Sequence, residues 1–227
     1  KGYAAVKMRA VGNDGFSIPN ALARISAARK AIGDDVPVMV DAHGSLHPTT
    51  AIQLARQMEQ YGPIGWFEEP TPPDLIGAMA QVKAQTAIPL AGGEMECTRY
   101  GFRDLIAANA FDILQPDVAI CGGISEWRRI AALASAHGVL VAPHVWFSGL
   151  IVAASIHLAM SQPNCFLFEV PQANLPLIFQ LCDAPFPTKD GIVTPLERPG
   201  LGVELRPGLE EQYPELVTPD SPTQRVG

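Results

Sequence analysis

A parallel α/β barrel of the TIM type is the fold this sequence predicts, and three observations predict it. Short apolar or branched runs end abruptly in a reactive side chain, these endings recur about every 25 residues, and helix-patterned segments fill the intervals. Val36-Pro37-Val38-Met39-Val40 ends in Asp41-Ala42-His43, and Ile64-Gly65-Trp66-Phe67 ends in Glu68-Glu69. Ile88-Pro89-Leu90-Ala91 leads to Glu94, Phe111-Asp112-Ile113-Leu114 to Asp117, Val139-Leu140-Val141-Ala142 to His144, and Phe166-Leu167-Phe168 to Glu169. Charge that begins where burial ends belongs at one open rim, the mouth of a barrel.

Each element has a local reason. Tyr3 to Arg9 alternates as a strand, with Lys7 and Arg9 two apart and so on one face. After a loop from Gly12 to Ser17, Leu22, Ile25, Ala28 and Ile32 set a helical stripe that Gly33-Asp34-Asp35 breaks. Pro48 suits a first helical turn, Ile52, Ala55 and Met58 share a stripe, and Tyr61-Gly62-Pro63 ends it. Thr71-Pro72-Pro73 is a rigid loop before a helix through Leu75, Ile76, Met79 and Val82. A shorter helix is predicted over Gly101 to Ala110, and a strong one over Ile124 to His137, closed by Gly138 as a left-handed cap. Ser148 to Met160 is small and apolar, which predicts a buried helix. Seven strand–helix units follow from this, so the expectation is a (β/α)7β-like barrel whose first strand is missing from the N-terminal side. The barrel is expected over residues 1–194, followed by a Pro-rich, polar closing segment over 195–227.

The 227 residues suit one such domain, and the start at Lys1 reads as part of a longer polypeptide. A net charge of −7 with 16 basic residues argues against nucleic-acid and anionic-membrane partners. No apolar run approaches the roughly 18 residues of a membrane span. Cys97, Cys121, Cys165 and Cys182 form no CxxC pair, which fits free thiols and a cytoplasmic location.

Three carboxylates, Asp41, Glu68 and Glu94, sit on successive strand ends. Hard oxygen ligands that leave positions open suit Mg²⁺ rather than zinc; caps or ion pairs are the alternative. Asp117 and His144 follow on the next two strand ends, where a carboxylate can orient an imidazole as a general base. His47, His137 and His157 lie in helical or loop contexts and read as surface or packing residues.

The motifs Lys7-Met8-Arg9, Val40-Asp41-Ala42-His43, Trp66-Phe67-Glu68-Glu69-Pro70, Gly92-Gly93-Glu94, Gln115-Pro116-Asp117, Pro143-His144 and Phe168-Glu169 together resemble the enolase superfamily. The likeness is to its mandelate racemase/muconate lactonizing enzyme subgroup and extends in order to Pro199-Gly200-Leu201-Gly202-Val203. The resemblance implies that Asp41, Glu68 and Glu94 are Mg²⁺ ligands, Asp117 and His144 the base dyad, and Lys7 the first lysine of its strand motif. Glu169 matches an acid that hydrogen-bonds the substrate carboxylate. An N-terminal capping domain, absent from this chain, and a homo-oligomer are implied as well. The implied chemistry is removal of the proton α to a carboxylate, giving an enediolate stabilised by Mg²⁺.

One position departs from the racemase pattern: Arg9 stands where a second lysine is expected. A guanidinium is a poor base, which argues against racemisation and for β-elimination. His43, two residues after Asp41, is a candidate acid for the departing oxygen, with a structural role beside a ligand carboxylate as the alternative. The Asp-x-His-Gly arrangement resembles acid-sugar dehydratases. Cys97 to Asp104 and Pro143-His144-Val145-Trp146 are similar to aldarolactone cycloisomerases, with Trp146 as a candidate pocket wall. The expected substrate is a sugar acid or its lactone, with dehydration narrowly ahead of lactone opening and racemisation or epimerisation as a further alternative. A catalytically silent metal-binding barrel is the non-enzymatic alternative.

Overall fold

The computed structural model describes residues 2–12, 15–172, 176–183 and 188–214. The alternation read from the sequence is present as β1 (Val6–Arg9), α1 (Ile18–Ile32), β2 (Val38–Asp41), α2 (Pro48–Met58), β3 (Ile64–Glu68), α3 (Ile76–Lys83), β4 (Leu90–Gly92) and α4 (Thr98–Ala107). It continues through β5 (Ile113–Leu114), α5 (Ile124–Ala136), β6 (Leu140–Val141) and α6 (Gly149–Met160). Among the described residues these strands form a six-stranded sheet in sequence order, every neighbouring pair parallel. Parallel neighbours need a crossover, and each helix supplies one.

The helix starts follow local chemistry. Ser17 accepts the Asn20 N–H at 3.2 Å ahead of Pro19, and His47 caps α2 ahead of Pro48. Ser148 caps α6 through the Ile151 N–H. Gly138, at φ 70°, closes α5 in the left-handed conformation as expected.

Two expectations need correction. The helix expected over Gly101 to Ala110 begins three residues earlier, at Thr98, and it is Asn109 that takes the left-handed stop at φ 52°. The run Phe166 to Phe168 forms no ladder; its neighbourhood joins the sheet through one parallel bridge, Val141 to Cys165. The segment before the tail is ordered as α7 (Pro176–Phe179) and an antiparallel hairpin, β7 (Thr188–Lys189) with β8 (Ile192–Val193). That hairpin turns on Asp190-Gly191 at φ 52° and 76°, a dipeptide that favours a tight turn with positive φ at both positions. Beyond it, Arg198 pairs with Asp183 at 2.6 Å, Leu205 bridges Cys182, and α8 (Leu209–Gln212) follows. Residues 215–227 of the expected closing segment lie outside the described residues.

Two cores result from strand periodicity. Val38, Val40, Phe67 and Leu90 turn outward onto Leu54, Met58, Met79 and Val82 of the helices. On the other face, Met39, Trp66, Ala91, Ile113 and Ala142, with Ala5 and Leu167, form a separate apolar plug inside the curved sheet. Side chains alternate, so the residue two beyond each plug residue stands on the same inner face, one step nearer the mouth. Those residues are Lys7, Asp41, Glu68, Gln115, His144 and Glu169. A layer of chemistry rests on a layer of hydrocarbon. Among the described residues no helix is long and apolar enough to cross a membrane.

β4 breaks this rule, because Glu94 is three residues beyond Ala91. Gly93, at φ 101°, makes the extra step. A Cβ on Gly92 would lie 2.5 Å from the Phe111 ring and 2.7 Å from Glu69 Oε1. Gly92→Ala is therefore expected to cost about 1–3 kcal/mol by overpacking. Urea unfolding of the variant checks this, and a stability equal to the parent's contradicts it.

Candidate active site

The mouth opens into a cavity of about 940 Å³ whose lining includes Lys7, Arg9, Asp41, His43, Glu94, His144 and Glu169. Trp146, for which the sequence left a wall and a packing role equally open, forms part of its wall.

On one side stands a dyad. Asp117 is fully buried, its Oδ1 accepts the Ala119 N–H at 2.7 Å, and its Oδ2 lies 2.8 Å from His144 Nδ1. A buried carboxylate holds the Nδ1 proton, which fixes the tautomer and leaves Nε2 with its lone pair toward the mouth. Burial alone would lower the His144 pKa, but the Asp117 hydrogen bond and the nearby Glu169 and Glu94 charges outweigh it and raise the value. His144 Nε2 is 3.6 Å from Glu94 Oε2.

Lys7 Nζ lies 2.5 Å from Glu68 Oε1 and 2.7 Å from Glu169 Oε1. Burial opposes the ammonium, yet the two carboxylates raise its pKa above the ordinary lysine value, so Lys7 stays charged. Glu169 accepts twice, from Lys7 and from the Val145 N–H at 2.9 Å. As placed it is an acceptor; to act as the acid that the resemblance implies, it must exchange Lys7 for a substrate oxygen at Oε1. Arg9 approaches Asp41 at 3.8 Å and is largely exposed in the mouth. His43 places Nδ1 3.0 Å from Glu94 Oε1 and stands half-exposed, while its backbone N–H donates to Asp41 at 2.7 Å. Seven of the nine predicted site residues thus line one mouth, while Glu68 and Asp117 are buried behind it, in contact with Lys7 and His144.

Among the described residues, no group of three His, Cys, Asp or Glu side chains is arranged as it stands to hold a metal. The oxygens of Glu68 face Lys7, Trp66 and Gln115, and those of Glu94 face the two histidines. The donor set nevertheless fits a hard divalent cation. Burial raises the Asp41 pKa to about 6, and repulsion from Glu68 and Glu94 adds to it. Negative charge is therefore in excess of what Lys7 neutralises, and three carboxylates at one rim are oxygen ligands of the type Mg²⁺ takes.

Sequence reasoning passed over three participants. Trp66 Nε1 and Gln115 Nε2 both donate to Glu68 Oε2, at 2.7 and 2.9 Å. Glu69, at φ 39°, turns inward and accepts the Gly93 N–H at 2.6 Å, which pins the backbone that carries Glu94. The period of two along each strand would have found Trp66 and Gln115; nothing local marks Glu69. Among the other histidines, His47 caps α2, His137 follows α5, and His157 lies 3.3 Å from the Leu201 carbonyl.

This combination of parallel sheet, mouth and carboxylate cluster is that of an enolase-type barrel. Residues 1–209 match the model of the enolase C-terminal domain-like family, and the chain belongs to that family. A second model, the N-terminal NAD⁺-binding domain of DNA ligase-like proteins, matches only residues 203–227, mostly outside the described residues. The D-galactarolactone cycloisomerase of Agrobacterium fabrum is 38% identical over 213 residues, 90% of this chain and 55% of the relative. The D-galactonate dehydratase of Verminephrobacter eiseniae is 33% identical, over 85% of this chain and 52% of its own length. The crystal structure of the 3,6-anhydro-D-galactonate cycloisomerase from Zobellia galactanivorans superposes with a TM-score of 0.86 at 33% identity, covering 93% of this chain and 59% of that one. The chain spans about half the length of the curated relatives it matches.

Glu69 yields a pH prediction. Burial lifts its carboxyl from 4.5 to about 7, with repulsion from Glu94, Glu68 and Asp41 adding to the effect and the Gly93 N–H opposing it. The native state therefore binds this proton more tightly than the unfolded chain. The associated stability is present below about pH 4.5 and lost as pH rises through 7, some 3 kcal/mol in all. Glu69→Gln keeps the acceptor for Gly93 and removes the titration. The metal-free variant should lose less unfolding free energy between pH 5 and 8 than the parent; parallel profiles contradict this.

Proposed function

We propose that the protein uses Mg²⁺ and this mouth to remove the proton α to the carboxylate of a sugar acid and expel the β-oxygen, as an acid-sugar dehydratase. The observation that carries the reading is the Asp117–His144 dyad and the Glu68–Lys7–Glu169 chain bordering one cavity.

His144 Nε2 takes the α-proton while Asp117 stabilises the imidazolium that forms. Asp41, Glu68 and Glu94 are the residues that would hold Mg²⁺. Bound there, the cation supplies positive charge to the substrate carboxylate as its electron density rises. Lys7 adds a fixed ammonium on the Glu169 side. The electron pair left at Cα forms the Cα–Cβ bond as Cβ–O breaks, and His43 gives the departing hydroxyl a proton. One proton is taken and one given, so the net loss is a water. Neither Lys7, held charged, nor Arg9 is a base, which supports elimination over racemisation.

A second reading, lactone opening, is favoured by the 38% identity to a D-galactarolactone cycloisomerase. There the leaving group is the ring carboxylate, which departs without a proton.

Residues 1–194 are proposed as the barrel and 195–227 as its closing segment; the Arg198–Asp183 and Leu205–Cys182 contacts support this. The four thiols, all free, suit the cytoplasm, and a homo-oligomer remains part of the proposal.

The test is mass spectrometry after incubation with Mg²⁺ and a panel including D-galactonate and D-galactarolactone in D₂O. Loss of one water from an acid supports dehydration, and a deuterated isomer of a lactone supports ring opening. Solvent deuterium at Cα with nothing eliminated overturns both. His144→Ala should lower turnover about 10²–10⁴-fold with Mg²⁺ binding retained. His43→Asn should impair loss of hydroxide far more than opening of a lactone, as paired rates on the two substrates would reveal.

A further inference from the structure

We propose that Trp66 and Gln115 are positioning residues that occupy Oε2 of Glu68, so that Glu68 offers a cation only Oε1 and the site favours Mg²⁺ over Ca²⁺. The inference rests on the metal reading of Asp41, Glu68 and Glu94 given above.

Glu68 is fully buried, and both of its oxygens are assigned. Oε2 accepts Trp66 Nε1 at 2.7 Å and Gln115 Nε2 at 2.9 Å, which uses both acceptor sites of that oxygen. Oε1 accepts from Lys7 at 2.5 Å, which uses one of its two acceptor sites and leaves the other for a cation. The orientation of Gln115 is not arbitrary. A carboxylate only accepts, so the amide nitrogen must face it and the amide oxygen must point elsewhere. That oxygen, Oε1, is buried without a hydrogen-bond partner, although the side chain borders the cavity.

An unpartnered buried acceptor costs stability. Gln115 is only 2% exposed and stands directly above Ile113 of the apolar plug, where Met or Leu would pack without that cost. The amide N–H toward Glu68 is what a glutamine supplies there and an apolar side chain cannot. Trp66 belongs to the plug itself and meets Phe166 edge to face at 6.5 Å, so its indole is clamped while its N–H holds Glu68. The two donors come from β3 and from the end of β5, with β4 between them. Glu68 is therefore held by residues of two strands.

A carboxylate with one oxygen tied down can ligate through the other alone. Mg²⁺ demands near-octahedral coordination with short bonds, which single-oxygen ligation suits; Ca²⁺ readily takes carboxylates through both oxygens and tolerates irregular shells. Removing either donor frees Glu68 to turn and use both oxygens. Partners of this kind are typically worth 10–100-fold in metal affinity.

The test is calorimetric titration of the chain with Mg²⁺ and, separately, Ca²⁺, for the parent, Trp66→Phe and Gln115→Met, beside metal-free melting temperatures. Trp66→Phe keeps a ring against Phe166 and loses the N–H; Gln115→Met keeps length and loses the donor. Each variant should bind Mg²⁺ about 10-fold or more weakly, with Ca²⁺ affinity changed by less than about 3-fold. Mg²⁺ and Ca²⁺ affinities that fall together with the melting temperature identify a packing role and overturn the proposal. So does unchanged Mg²⁺ affinity in Trp66→Phe, which carries the test alone if Gln115→Met does not fold. A parent that binds no Mg²⁺ and matches Asp41→Asn overturns the metal reading itself, an outcome distinct from either of these.

Discussion

The rest of the structure depends on one ion-pair chain, Glu68–Lys7–Glu169, with contacts of 2.5 and 2.7 Å. Lys7 comes from the first strand of the sheet, Glu68 from the third, and Glu169 from the stretch that follows the last bridge to the sheet. A single ammonium thereby draws the two ends of the curved sheet toward each other. Buried charges cost solvation that only partners can return, so these side chains can be stable only if the sheet curves enough for them to meet. The same curvature encloses the apolar plug beneath them and the cavity above.

The mouth is overloaded with acid. Asp41, Glu68, Glu69, Glu94 and Asp117 are all buried. Each is handled in its own way: Asp117 by an imidazole, Glu68 by an ammonium and two neutral donors, Glu69 and Asp41 by backbone N–H groups, and Glu94 by two imidazoles. The raised values at Asp41, to about 6, and at Glu69, to about 7, measure what remains uncompensated. This much negative charge held against burial is what supports the proposal of a cation there.

Much of this was legible in the chain. The period-two alternation made Lys7, Asp41, Glu68, His144 and Glu169 visible as strand-end groups, because a strand sends alternate side chains to one face whatever its neighbours are. The same rule marks Gln115, two after Ile113, and its neutrality is why it is easily passed over beside Asp117. The hairpin at Asp190-Gly191 also carried its own signal, since that dipeptide tolerates positive φ. Glu69 was not legible, because its inward turn depends on Gly92 leaving room on a different strand and on the Gly93 N–H it meets there.

By itself, then, the sequence determined the alternating parallel architecture, the inner and outer faces of each strand, and which side chains reach the mouth, since these follow from local periodicity and from Pro and Gly punctuation. Only the tertiary structure decided which groups touch. It set Lys7 between two carboxylates, turned Glu169 into an acceptor, bound Glu68 Oε2 to an indole and an amide, and left the Phe166 stretch with a single bridge. The physical reason is that hydrogen bonds and ion pairs between distant strands depend on sheet curvature and register. Those are properties of all the strands packed together, and no single stretch of the chain contains them.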